Sequence, residues 1–461
     1  MRHSKSEGRH SQENPSNLGM MKRISLRSAL RLSSMPVVVL LYSAAFNYAY
    51  VQWVAPTWES LGFAYSAPNK ALVIVGYLLA ATQCLIPPLR IKRPSQVLYW
   101  MLYFFVYVPG LFVPLCLQYV NNTDLLLLQL SLTLGMMLIA LSYRMTIPAF
   151  RGWPLKPRTF WTIFGILFLL GNAFVLNAFR SMLHIASLTE IYSVRFQAID
   201  LLEQYPAAGY VSNILDDILN PFLIVYGLFA HRKIMIVLGI LGQILLYSTA
   251  ALKISIISPL LIIIFYFTIK RDRGNWVPYV GLCFAGMIFM LTALPIEDVG
   301  RVVLDIILMR SFAMNGMLLG EYQYFFEHNP LTHWGNIHGF SLFISNPYTT
   351  PVAIEISRYF GIVSTFGEVY SNACFFAMDG IAGFGLPGIP LMGLLGAAVF
   401  MVMDSCAKRL PIEVTVACLT MYLVGLPNGS LFSMLLGQGL IIWLLLFLSI
   451  PSRIFQIGSK A

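Results

Sequence analysis

Arg301, Arg310 and Arg358 lie between Leu294 and Asp379, together with eight carboxylates and three of the chain's seven histidines, His328, His333 and His338. This is the one long stretch between apolar runs that is not itself apolar enough to cross a bilayer. Arginine offers a planar fork of donors to phosphate oxygens. A positioned carboxylate or imidazole can take a proton from a sugar hydroxyl. Glu368, His338 and Asp379 are the candidate bases, the first two beside the turn glycines Gly367 and Gly339, the third where a Gly/Pro-rich run begins. The run from Ile306 to Glu321 has little turn chemistry and reads as a helix. Arg310 and Glu321 stand three turns apart on nearly one of its faces, with Met314 and Met317 between them. Tyr322, Trp334, Tyr348 and Tyr370 could stack on sugar rings, although aromatic residues also collect at membrane interfaces.

The elements that would hold these groups are membrane spans. Hydrophobic residues make up 58% of the chain and charged residues 11%, too few polar groups to cover a soluble domain. Apolar runs near 36–54, 71–89, 98–119, 124–142, 159–178, 207–230, 234–252, 254–269, 275–294, 380–403, 411–426 and 431–450 predict an all-α polytopic protein of about 12 spans. The run at 380–403, rich in Gly and Pro, predicts a broken or re-entrant helix. Residues 1–35 read as a disordered cytoplasmic tail without a cleavable signal, and 36–461 as one transmembrane domain. With the N-terminus inside, the cations split about three to one in favour of the cytoplasm, which puts both termini there. Two large loops, about 179–206 and 295–379, then face the other side, the second between spans 9 and 10. No Walker A or dinucleotide motif occurs in the short cytoplasmic loops, and the six cysteines show no metal or disulfide spacing. No metal, cofactor or nucleic-acid partner is expected.

The few cations on the loop side run against this bias. Arg310, Arg301, Lys253 and Arg195 are therefore read as candidates for binding a diphosphate, with pairing to nearby acids or lipid head groups as the alternative. Lys253 closes a tight connection between two spans. Asp216 and Asp217 interrupt an apolar run with Asn213 and Asn220. Carboxylates there are costly, so the span is expected to begin near Ile218. Both would then face a cavity at the interface, with Glu321 as a third acceptor or cavity group.

The loop-and-span arrangement resembles the oligosaccharide repeat-unit polymerases, the Wzy (O-antigen polymerase) family. Thr249-Ala250-Ala251-Leu252-Lys253 before the aliphatic run 254–265 looks like that family's short basic turn, with lysine where an arginine is typical. Ser364-Thr365-Phe366-Gly367-Glu368-Val369-Tyr370 leading to Gly380–Gly388 looks like its approach to the span after the large loop. The resemblance implies a metal-independent, GT-C-like glycosyltransferase in the bacterial inner membrane. It would join undecaprenyl-diphosphate-linked repeat units into a surface polysaccharide such as O-antigen, capsule or exopolysaccharide. A flippase and a chain-length regulator are the implied partners. An O-antigen ligase would use the same donor. A lipid-linked oligosaccharide flippase is the alternative from another class, and it would set its charges along a path between two related halves.

Overall fold

The computed structural model describes residues 34–63, 65–117, 120–181, 205–250, 253–293, 305–362, 369–451 and 454–455. Helices occur at every predicted apolar run: α1 (Ser34–Thr57), α2 (Lys70–Gln83), α3 (Pro94–Cys116), α4 (Asn122–Ser142), α5 (Pro157–Ala178), α6 (Ala207–Phe229), α7 (Lys233–Ala250), α8 (Lys253–Arg271) and α9 (Trp276–Ala293). Then come α10 (305–328) and α11 (Val352–Tyr359), α12 (Gly388–Ala407), α13 (412–425, in two short pieces) and α14 (Leu431–Ser449). Eight of these are long and apolar enough to cross a membrane: α1, α3, α4, α5, α6, α8, α12 and α14. Shorter apolar helices stand at α2, α7 and α9. The architecture is an all-helical, polytopic membrane protein, and no strand occurs among the described residues.

Helix α3 is the axis. Its apolar window is 94% buried, against 17% for α5 at the periphery. Along it Tyr99, Trp100, Tyr103, Phe104 and Tyr107 are all wholly buried. Helix α12 packs along α4, and Gly135 faces Gly393 so closely that a Cβ on the latter would lie 2.4 Å from the former's carbonyl oxygen. Helices α6, α7 and α8 form a second group.

Proline explains several irregular turns. A proline inside a helix leaves the carbonyl four residues back without its N–H partner, and in a membrane that oxygen needs another donor. Pro109 frees Phe105 O, and Asn315 Nδ2 donates to it at 2.9 Å from α10. Pro221 frees Asp217 O, which accepts from Trp443 Nε1 of α14 at 3.0 Å. Pro259 frees Ser255 O, which takes the Ser258 hydroxyl at 3.0 Å. The first two sites fall next to π-helical turns, at Tyr103–Tyr107 and Leu215–Leu219.

The stretch expected as a loop from 295 to 379 is in part a helix lodged in the bundle. Helix α10 runs parallel to α3. Phe312 stacks on Phe105 at 4.4 Å between ring centres, Gly316 meets Pro109, and Gly320 meets Pro114 and Leu117. A Cβ on Gly316 would come within 2.5 Å of Pro109 O, so only glycine permits this approach. The Asn315 hydrogen bond and the Gly316–Gly320 spacing together draw α10 inward to the level of Phe105, halfway along α3. The break in the Gly/Pro-rich run is present: a π-helical turn at Phe376–Ile381 ends at Gly385, with φ +66°, before α12 begins at Gly388.

The two ends of the bundle differ in charge. Helices α3 and α8 have Arg90, Lys92, Arg93, Lys270, Arg271 and Arg273 at one end, termed the basic end. The opposite end carries the chain from α10 through α11 to the Phe376–Ile381 turn and is termed the loop end.

Candidate functional site

At the loop end α10 carries Glu321, 0% exposed, with neither carboxylate oxygen hydrogen-bonded to any group among the described residues. Its near neighbours are Gly62, Met317 and Ile362; a Cβ on Gly62 would come within 2.9 Å of Oε1. Gly62 also has φ +90°, a conformation that disfavours other residues. Gly62 and Leu117 lie beyond the ends of α1 and α3, so Glu321 sits just past the spans. Burial without a compensating donor pushes its carboxyl up to about 8. A proton acceptor held near neutrality is what general acid–base chemistry needs.

Arg310 projects, exposed, from the first part of the same helix. The eleven helical steps from it to Glu321 span roughly 16 Å. The two cannot meet on one atom, but they can flank an extended ligand lying along α10.

Asp379 is placed differently from what a catalytic base requires. Its carboxylate accepts from the Ser430 hydroxyl at 2.7 Å and from the Leu431 N–H at 2.6 Å, at the start of α14. Its carbonyl accepts from Trp334 Nε1 at 2.7 Å. Burial still holds the carboxyl up, at about 7. Asp379 thus fastens the loop, the broken helix and α14 together. Trp334 packs edge-on against Phe384 and Phe432. His338 lies exposed in the turn before Gly339. Tyr322, next to Glu321, donates to Ser371 O at 2.8 Å.

The helix carrying Asp216 and Asp217 begins earlier than expected, well before Ile218. Helix α6 begins at Ala207, so they sit about 14 Å along it. The helix continues across them because α7 and α8 supply donors. Ser255 Oγ donates to Asp216 Oδ2 at 3.0 Å and Gln243 Nε2 to Asp216 O at 2.8 Å. Asp216 Oδ1 and both amide atoms of the fully buried Asn220 have no partner. Sequence reading found Asp216, Asp217 and Asn220 but missed Gln243 and Ser255, each a lone polar residue in an apolar run. The prolines at 221 and 259 were the available signal.

Arg195, Arg301 and Glu368 lie outside the described residues. So does the side chain of Lys253, whose backbone opens α8 two residues before Ser255. Among the described residues no three of His, Cys, Asp and Glu cluster as metal ligands would.

No protein-family model, curated protein or solved structure matches the chain. Function therefore has to be argued from the side chains.

Proposed function

We propose that the chain is a membrane glycosyltransferase, GT-C-like with about twelve spans. It joins undecaprenyl-diphosphate-linked repeat units into a surface polysaccharide at the outer face of a bacterial inner membrane. The observation that carries this reading is the buried, unbonded carboxyl of Glu321 on one helix with the exposed Arg310.

In the reaction the acceptor sugar's hydroxyl oxygen attacks the anomeric carbon of the donor glycan. The bond from that carbon to the diphosphate oxygen breaks, and the diphosphate leaves with the electron pair. Glu321, ionised, takes the hydroxyl proton. Arg310 stabilises the charge that develops on the departing diphosphate. Because Phe312, two residues on, stacks on Phe105 halfway along α3, a diphosphate at Arg310 would be drawn down into the bundle, with the donor's sugar reaching outward towards Glu321. Asp379 and Trp334 hold the loop that covers this end.

Deleting the gene should leave cells making single repeat units in place of long chains. Complementation with Arg310→Ala should fail to restore long chains while the protein still inserts in the membrane. A ladder of normal length from that variant removes Arg310 from the reaction.

The transporter reading is favoured by a different observation, the buried group of Asp216, Asn220, Gln243 and Ser255 between α6, α7 and α8. Intramembrane acids of this kind serve ion-coupled transport. The two readings part in the deletion strain: a lost transporter leaves no repeat units at the surface, whereas a lost polymerase leaves single ones.

A further inference from the structure

The basic end contains a cleft of about 310 Å³ where α3 starts, α12 ends and the chain turns at Thr146 and Ile147. Lys92, Arg93 and Lys408 line it, and Asp404 also contributes to its wall. We propose that this cleft is a phosphate-binding site. The proposal does not rest on chemistry at the loop end.

Two of the cations are positioned by backbone carbonyls, and Asp404 is the one acid in the cleft wall, close enough to Arg93 to interact with it. Arg93 Nη2 donates to Met145 O at 2.8 Å, and Lys408 Nζ donates to Ile147 O at 2.7 Å. Both are thereby tied to one short turn and aimed across the same space. Arg93 Nη1 is buried with no acceptor, a costly state for a guanidinium N–H. The nearby carboxylates are already engaged. Asp404 accepts from the Ser95 hydroxyl at 2.6 Å and the Ser95 N–H at 3.1 Å, and Glu413 is paired with Arg273 at 2.6 Å. Three cations against one occupied carboxylate leave a positive cleft whose spare groups are donors: the remaining protons of Lys408, the Lys92 ammonium and the Thr146 hydroxyl. The matching ligand carries only acceptors and more than one negative charge, which describes a phosphate group. The cleft opens at the ends of three spans, α3, α4 and α12. That is the depth of a phospholipid headgroup, and a phosphate compound from solution reaches the same place.

The test uses the full chain in phosphatidylcholine nanodiscs at fixed ionic strength, titrated separately with phosphatidate and with inorganic phosphate and read by native mass spectrometry. Saturable binding is expected, about tenfold weaker in Lys408→Gln and in Lys92→Gln, as the loss of a charge-assisted hydrogen bond would give. Lys92 makes no tether to the fold, so its variant stays informative if Lys408→Gln disturbs the turn. Lys156→Gln, at the same end but outside the cleft, should bind as the unaltered protein does. Binding of phosphatidate that inorganic phosphate does not displace assigns the site to a lipid headgroup; displacement assigns it to a soluble phosphate. Absence of saturable binding by both probes overturns the proposal. An equal loss in Lys156→Gln also overturns it, because the attraction would then belong to the whole basic face.

Discussion

Asp404 at the basic end and Asp379 at the loop end do the same work. Each is buried, and each accepts from a serine hydroxyl and a backbone N–H in the first turn of a span, Ser95 in α3 and Ser430–Leu431 at α14. Glu321, one helix away from Asp379, is equally buried and holds nothing. The contrast separates acids that build the bundle from one left free to exchange a proton. It also shows that burial alone does not mark a functional carboxylate; what matters is whether its oxygens are already spoken for.

The comparison breaks most visibly if the bonded aspartates prove dispensable. Asp379→Ala and Asp404→Ala should each cost about 3 kcal/mol, two hydrogen bonds to a buried acid lost together. Thermal unfolding of the purified protein would show a large fall in Tm for both, and a much smaller one for Asp→Asn. An unchanged Tm for Asp379→Ala would return that residue to the list of catalytic bases.

Glu321→Gln sharpens the other half. The folded protein holds the Glu321 proton up to about pH 8, whereas the unfolded chain releases it in the ordinary carboxylate range. The folded state therefore binds more protons between those limits, and stability falls as pH rises through them. The Tm of the unaltered protein should drop from pH 5 towards pH 8, and the Gln variant should lose most of that slope. Its chain-forming activity should fall by about 100-fold or more.

The smallest effect is expected at the surface. Arg273 and Glu413 pair at 2.6 Å, but their side chains are 42% and 13% exposed. Arg273→Ala should cost about 0.5 kcal/mol, near the limit of a thermal shift.

The helices were legible because a bilayer fixes how long an apolar run must be, and most predicted runs are helical to within a few residues; the run at 71–89 stops at Gln83, that at 411–426 is in two short pieces, and at 380–403 the Gly/Pro break leaves the π-helical turn at Phe376–Ile381 and a start for α12 at Gly388. What could not be read was which polar side chains meet. Asn315, Gln243 and Trp443 find their acceptors on helices far away in sequence. Most of α10 was legible as the helix Ile306–Glu321; its seat against α3 was not, because it depends on the proline-freed carbonyl of Phe105 and the glycines at 316 and 320. Asp404 and Ser95 meet across 309 residues of sequence, a pairing no local spacing announces.

Helix α10 has a consequence for biogenesis. It is not among the helices apolar enough to partition into lipid unaided, yet it rests against the buried axis of the fold. Such a segment has to wait for a protein wall before it can leave water. Its insertion is therefore a late step, made possible only when α1 and α3 have already come together and presented Phe105 to Asn315.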